Sequence, residues 1–144
     1  MAKTNPIVGQ CHCGGVQFHA LPADGLKTAR RCTCSFCRMR GAVVISAELG
    51  GLEITKGADL LTEYRFNTGT AKHFFCSVCG IYTHHQRRSN PNQYGINAAC
   101  LEGVSPFDFS NLPVMDGVNH PSDDKTGGGG LIGRLLFVPI DSAG

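Results

Sequence analysis

Seven of the eight cysteines fall into three short clusters, and their spacing constrains this chain more than any other feature of the sequence. The clusters are Cys11-x-Cys13-Gly14, Cys32-x-Cys34-x-x-Cys37 and Cys76-x-x-Cys79-Gly80. Residues i and i+2 of an extended segment point to the same face, and a Cys-x-x-Cys turn also brings two sulfurs together. Each cluster therefore has chelating spacing. In a reducing compartment, metal binding explains so many thiols better than disulfides do.

The first and third clusters end alike, because a glycine directly follows the second cysteine of each. Glycine permits the left-handed backbone that turns N–H groups toward the sulfurs. We therefore predict that Cys11, Cys13, Cys76 and Cys79 form one closed zinc site. Such a four-thiolate site is structural and contributes to folding.

The middle cluster supplies only three thiols, Cys32, Cys34 and Cys37. A tetrahedral ion held by three protein ligands keeps one position open, which is typical of a catalytic metal. Water, a substrate thiol or a further side chain could fill that position, the candidates being Cys100, His84 and His85. We expect two Zn²⁺ per chain, although spacing alone leaves open other pairings and a single site with surplus thiols.

The rest of the sequence predicts a mainly β fold with little helix, in one domain covering residues 1–144. Period-2 alternation and β-branched or aromatic residues dominate the segments between the turns. The segment Pro106–Asp124 has no period and is expected to be a loop or a helical turn, and Gly127–Gly130 a mobile surface loop. The expected strands are Val16–Ala20, Ala42–Ser46, Leu52–Thr55, Leu61–Phe66, Ala71–Phe75, Ile81–Gln86, Tyr94–Ala99 and Leu135–Ile140.

Basic side chains accompany the thiols. No Asp or Glu occurs between Asp24 and Glu48 or between Glu63 and Glu102. Cations placed in this way compensate thiolates or an anionic ligand. Arg38 and Arg40, just after Cys37, are the first candidates to bind such a ligand. Arg87 and Arg88 are candidates too, or else an ordinary solvated strand end.

Charge and hydropathy exclude two classes of partner. Seven thiolates and two Zn²⁺ would change the formal net charge of +2 to about −1, so we expect no nucleic-acid binding. No apolar stretch approaches the roughly 18 residues needed to span a bilayer. The first ten residues also lack the pattern of a secretory signal. We expect a cytoplasmic protein without a membrane partner.

Three motifs together resemble one known family. They are Gly9-x-Cys11-x-Cys13-Gly14-Gly15-Val16-x-Phe18, Cys32-x-Cys34-Ser35-x-Cys37-Arg38 followed by Gly41, and Phe75-Cys76-x-x-Cys79-Gly80. Over about residues 7 to 101 the chain closely resembles the glutathione-dependent formaldehyde-activating (GFA) family, which includes the CENP-V-type proteins. The resemblance implies an Mss4-like, or β-tent, fold. It also implies a structural zinc at the first and third clusters and a catalytic-type zinc at the middle one.

The activity that the resemblance implies is carbon–sulfur bond formation, in which glutathione and formaldehyde give S-(hydroxymethyl)glutathione. The partner expected is thus a small thiol such as glutathione, and the enzyme class a carbon–sulfur lyase. The carboxylates of glutathione would need cations, for which Arg38 and Arg40 are proposed. His84 and His85 point to opposite faces of a strand, so only one can face the site, and His85 is taken as the substrate-binding candidate.

Two other functions are compatible with the sequence. A zinc-dependent interaction module would have a closed second site, with Cys100 as its fourth ligand, and no thiol-dependent turnover. Methionine sulfoxide reduction occurs on a related fold and needs a free catalytic cysteine away from zinc, for which Cys100 is the candidate. The simpler interpretation of Cys100 is a small buried hydrophobic residue.

Overall fold

In the computed structural model, residues 5–88, 90–118 and 130–140 are described, and β-strands dominate them. The strands are β1 (Ile7–Gln10), β2 (Gln17–Leu26), β3 (Arg31–Cys32), β4 (Val44–Lys56), β5 (Leu61–Tyr64), β6 (Lys72–Cys76), β7 (Tyr82–Gln86), β8 (Gln93–Asn97), β9 (Asn111–Met115) and β10 (Leu131–Leu136). The α-helix α1 covers Ser35–Arg40, and 3₁₀ turns cover Ala58–Leu60, Ala98–Cys100 and Pro106–Asp108. The expected mainly β architecture with little helix is confirmed.

Seven strands form the larger sheet, in the order β1-β2-β4-β8-β7-β6-β5, with every neighbouring pair antiparallel. Its core face follows from period-2 alternation. In β2, Phe18 and Ala20 are buried while His19 between them is exposed. Ile45 and Ile96, paired across β4 and β8, extend the same core.

The smaller sheet has the order β10-β9-β3. Its pairing of β3 with β9 is parallel, and Cys32 pairs with Met115 in it. A parallel pair requires a long connection, and the chain between β3 and β9 forms most of the larger sheet. The middle cysteine cluster is therefore attached to a segment about eighty residues further along the chain.

The structure differs from the sequence prediction in β4. The strands expected at Ala42–Ser46 and Leu52–Thr55 belong to one strand, β4, which begins only at Val44 and continues through Gly50 and Gly51. A Cβ on Gly51 would lie 2.7 Å from the carbonyl oxygen of Leu21, so the absence of a side chain lets the two strands approach there.

A second difference is β9, which lies where a loop or helical turn was expected. Within the described part of the segment, up to residue 118, a helical turn forms at Pro106–Asp108 alone. Pro113 lies within β9, and β3 pairs only with Val114 and Met115, so the missing N–H of Pro113 interrupts no bond to β3. The smaller sheet thus tolerates a proline that obscures its middle strand in the sequence.

The last strand begins at Leu131 and ends at Leu136, instead of covering Leu135–Ile140. Pro139, which has no N–H to donate, lies among the residues that follow it. Three residues of the expected glycine loop, 127–129, lie outside the described residues. Within the described ranges, no helix is both long enough and apolar enough to cross a membrane.

Candidate metal centres

The sulfurs of Cys11, Cys13, Cys76 and Cys79 all lie within 4.8 Å of one another. The Sγ atoms of Cys11 and Cys13 are 3.6 Å apart, and those of Cys13 and Cys76 are 3.8 Å apart. A tetrahedral zinc with bonds of ~2.3 Å separates its sulfurs by ~3.8 Å, whereas a disulfide needs about 2 Å. The four side chains therefore fit a closed zinc site, with the pairing of clusters expected from the sequence.

Backbone amides support this four-sulfur cluster. Val16 N–H donates to the sulfur of Cys11 at 3.3 Å, and Val78 N–H donates to that of Cys76 at 3.4 Å. Gly14 and Gly80 have φ values of 76° and 77°, the left-handed conformation that permits both turns. Such donors stabilise thiolates and orient them toward one point.

The sulfurs of Cys32, Cys34 and Cys37 form the second cluster, again within 4.8 Å of one another. No fourth His, Cys, Asp or Glu joins them among the described residues. Cys34 is the N-cap of α1, and its sulfur accepts the N–H of Cys37 at 3.2 Å. The helix ends at Gly41, which has a left-handed conformation. One helical turn therefore holds two of the three thiols side by side.

The pKa values of these thiols diverge because the sulfurs share hydrogen bonds. Side-chain bonds from Cys32 and Cys37 lower the pKa of Cys34 far below its usual range. The same network raises the pKa of Cys37. Nη2 of Arg40 donates to the sulfur of Cys37 at 3.4 Å. A cation thus lies directly beside the cluster, as negatively charged thiolates require.

A cavity of about 590 Å³ opens onto the second cluster. Its wall is strongly basic, and Asp116 is the only acid among the described residues that line it. Burial, and next the charge of Arg87, lower the pKa of Arg30 to about 10. Crowded cations of this kind favour an anionic ligand. The basic residues of the wall are Arg30, Arg31, Arg87 and Arg88.

The two neighbouring histidines have different environments. His85 lines the cavity, its Nδ1 is 2.5 Å from the hydroxyl of Tyr82, and its ring stacks on His73. Burial, and then Arg40, lower the pKa of His85 well below its usual value, so its ring is neutral near pH 7. His84 is buried instead against Phe74, away from this wall.

Two other candidates from the sequence lie outside the cavity wall. Arg38 is exposed and does not line the cavity. Cys100 is buried in the core, where its sulfur approaches the carbonyl oxygen of Tyr82 at 3.5 Å. Burial raises the pKa of Cys100 to about 12. It belongs to neither cluster, so Cys100 is not the fourth ligand of the second site.

Sequence reasoning missed the segment that follows β9. Gly117 N–H donates to Thr33 Oγ1 at 3.0 Å, and a Cβ on Gly117 would lie 2.4 Å from the sulfur of Cys32. Only a glycine allows the chain to pass this close to the cluster. It missed Arg30 and Arg31 as well, although both directly precede Cys32 in an acid-free stretch.

Two comparisons agree with this arrangement. The family model described as glutathione-dependent formaldehyde-activating enzyme matches residues 6–111. The crystal structure of a Rhodobacter sphaeroides protein, a structural-genomics target, is similar, with 55% sequence identity and a TM-score of 0.74. That match covers 75% of this chain and 99% of the other. Since the family model spans both cysteine clusters and well over half of the sequence, this chain belongs to the glutathione-dependent formaldehyde-activating enzyme family.

Proposed function

We propose that this protein is a cytoplasmic zinc enzyme of the carbon–sulfur lyase class, folded as one GFA-type domain over residues 1–144. It joins a small anionic thiol, such as glutathione, to formaldehyde or a related aldehyde. The observation that carries the proposal is the three-thiol cluster, which has no fourth side-chain ligand among the described residues and opens into a basic cavity. That combination suits a ligand with a thiol at one end and carboxylates at the other.

Each cluster has its own task in this proposal. The four thiols of Cys11, Cys13, Cys76 and Cys79 would hold a structural zinc, and those of Cys32, Cys34 and Cys37 a second one. A zinc ion at the second cluster would keep a substrate thiol ionised at neutral pH, and the thiolate is the attacking species.

The cavity wall would position the substrate. Arg31 lines the cavity, and its guanidinium could bind a carboxylate of the substrate. Arg30 adds a second guanidinium beside it. Arg40, the other arginine proposed from the sequence, does not line this cavity and holds its charge at Cys37 and Tyr82 instead. The neutral His85 does line the cavity and can exchange a hydrogen bond with the ligand.

The overall reaction is a simple addition. A bond forms between the thiol sulfur and the carbonyl carbon, the π bond of the carbonyl breaks, and the thiol proton is transferred to the carbonyl oxygen. No oxidant or reductant is needed. The adduct also forms without an enzyme, so the rate must be measured above that background.

Calorimetric titration of glutathione into the zinc-loaded protein tests the proposal, together with exchange NMR of the formaldehyde–glutathione adduct. The parent should hold two zinc ions, bind the thiol and accelerate exchange. Cys34→Ser should abolish the acceleration. A parent protein that binds no glutathione, or that holds one zinc when fully loaded, would contradict the proposal and favour an interaction module.

Two arginine variants separate the sequence hypothesis from the cavity geometry. Arg31→Ala should weaken glutathione binding by about 1.5 to 3 kcal/mol, the range for a charge-assisted hydrogen bond shielded from water. Arg38→Ala is the matched control, because Arg38 is exposed and outside the wall. A loss with Arg38→Ala alone would instead support the assignment made from the sequence.

A further inference from the structure

We propose that β10 and the residues after it form a self-association surface, on which a second copy of this chain pairs antiparallel about a two-fold axis. This surface consists of residues 131–140. It is distinct from the metal clusters, and it lies beyond residue 111, where the family match ends.

The first observation is exposure. Every residue from 131 to 140 is exposed, and seven of them are large apolar residues with exposed fractions between 41 and 95%. An ordinary monomer exposes large apolar residues singly, whereas here they follow one another along one segment. These residues are Leu131, Ile132, Leu135, Leu136, Phe137, Val138 and Ile140.

The second observation is the free edge of β10. Among the described residues, β10 is the outermost strand of the smaller sheet and pairs only with β9. Proteins protect edge strands with charges, prolines or bulges. Here the strand holds one charge, Arg134, and one register shift, between Leu131 and Gly133. From Gly133 to Leu136 the pairing with β9 is regular, so the opposite edge offers a continuous row of backbone groups.

A second copy suits this edge because the segment is self-complementary. Antiparallel pairing about a two-fold axis places one residue opposite itself. A pairing centred on Arg134 would oppose two like charges and is disfavoured. Centred on Leu135, it places Leu135 opposite Leu135, Phe137 opposite Gly133, and Leu136 opposite Arg134 of the second copy. The two Leu135 side chains then meet at the axis, each Arg134 lies opposite an apolar residue instead of a like charge, and each Phe137 ring covers a glycine.

Sedimentation velocity of the zinc-loaded protein over a range of concentrations tests the proposal. The parent should sediment at twice its mass of 15.3 kDa at high concentration and dissociate on dilution. Val8→Lys is the control, because Val8 is an exposed apolar residue on an edge strand of the other sheet. It should leave the dimer unchanged. A parent that stays monomeric throughout would overturn the proposal.

Two substitutions at Leu136 test the pairing itself, since both add a charge at the same exposed position. Because of the two-fold symmetry, each residue 136 lies opposite Arg134 of the other copy. Leu136→Lys would therefore create two pairs of like charges, whereas Leu136→Glu would create two ion pairs. The Lys variant should dimerise about tenfold more weakly than the Glu variant. Equal affinities would overturn the pairing centred on Leu135.

Hydrogen exchange on the parent alone gives an independent test that needs no variant. Amides of residues 133–137 should exchange more slowly at high protein concentration than at low concentration, while those of β1 should not change. Exchange at 133–137 that does not depend on concentration would overturn the proposal.

Discussion

The guanidinium carbon of Arg40 lies 3.6 Å from the centroid of the Tyr82 ring. The same side chain donates to the sulfur of Cys37, and the Tyr82 hydroxyl contacts Nδ1 of His85. Arg40 therefore connects the second cysteine cluster to Tyr82, and through Tyr82 to His85 in the cavity wall. Cation–π contact and burial fix the position of its charge.

Replacing Arg40 tests this connection. Arg40→Ala should weaken zinc binding at the second cluster about tenfold, because partners that support metal ligands contribute on that scale. Arg40→Lys should recover part of the loss, since it keeps the charge but not the planar group that stacks on Tyr82. Competition with a chelator measures both affinities. Unchanged zinc affinity in Arg40→Ala would show that the contact with Cys37 is not energetically significant.

The two clusters should differ in their effect on folding. Cys13 and Cys76 are 63 residues apart in sequence, so the metal that joins them opposes a large loop entropy. Cys13→Ser or Cys76→Ser should therefore lower the melting temperature strongly, whereas Cys34→Ser should leave the fold nearly intact. Thermal unfolding monitored by circular dichroism gives the comparison. Equal losses in all three variants would contradict separate roles for the clusters.

Gly95 provides the space that His85 occupies. A Cβ at this position would lie 2.3 Å from Cε1 of His85 and 2.8 Å from Cγ1 of Val44. Gly95→Ala should therefore displace the imidazole, destabilise the protein by about 1 to 3 kcal/mol and reduce thiol binding. Gly50→Ala, a strand position with open space around it, is the matched control. Denaturant unfolding and calorimetry would detect the difference, and equal behaviour of the two variants would refute it.

His84 should make stability depend on pH. Burial lowers its pKa to about 4, so its ring is neutral in the folded protein, while the unfolded chain protonates it near pH 6.5. Stability must then fall as the pH drops from 6.5 toward 4, by about 2 to 3 kcal/mol. His84→Phe keeps the stacking on Phe74 and should remove this component. Acid also releases zinc, so the test compares unfolding of parent and variant at each pH, and parallel curves would exclude the effect.

The sequence predicts the parts of this site that depend on local spacing. The Cys-Gly endings at Gly14 and Gly80 match in conformation, so the grouping of the first and third clusters could be predicted from the sequence, although spacing alone left other pairings open. The basic wall of the cavity could not be predicted as a unit, because Arg87 and Arg30 come together only through the pairing of β4 with β8 and of β8 with β7. A long-range arrangement of this kind leaves no short periodic signal.

The strands also differ in whether a local sequence pattern predicts them. β7 carries β-branched and aromatic residues and was predicted almost to its bounds. The first half of β2 alternates and was predicted as Val16–Ala20, whereas its continuation through Pro22 to Leu26 was not. β9 contains Pro113, and β1 is a four-residue strand whose stability comes from its partner β2. Tertiary pairing determines such segments, and intrinsic preference does not reveal them.

The attachment of β3 to β9 has a consequence for divergence among relatives. It brings residues 115–118 to the rim of the cavity, outside the block at residues 6–111 that defines the family. Two homologues can therefore share every metal ligand and still present different rims to whatever enters. The cysteine clusters and this part of the cavity rim therefore lie in separate stretches of the chain, and mutation can change the second while preserving the first. Transferring a substrate between relatives requires comparing this rim, and a match of the cysteines is insufficient.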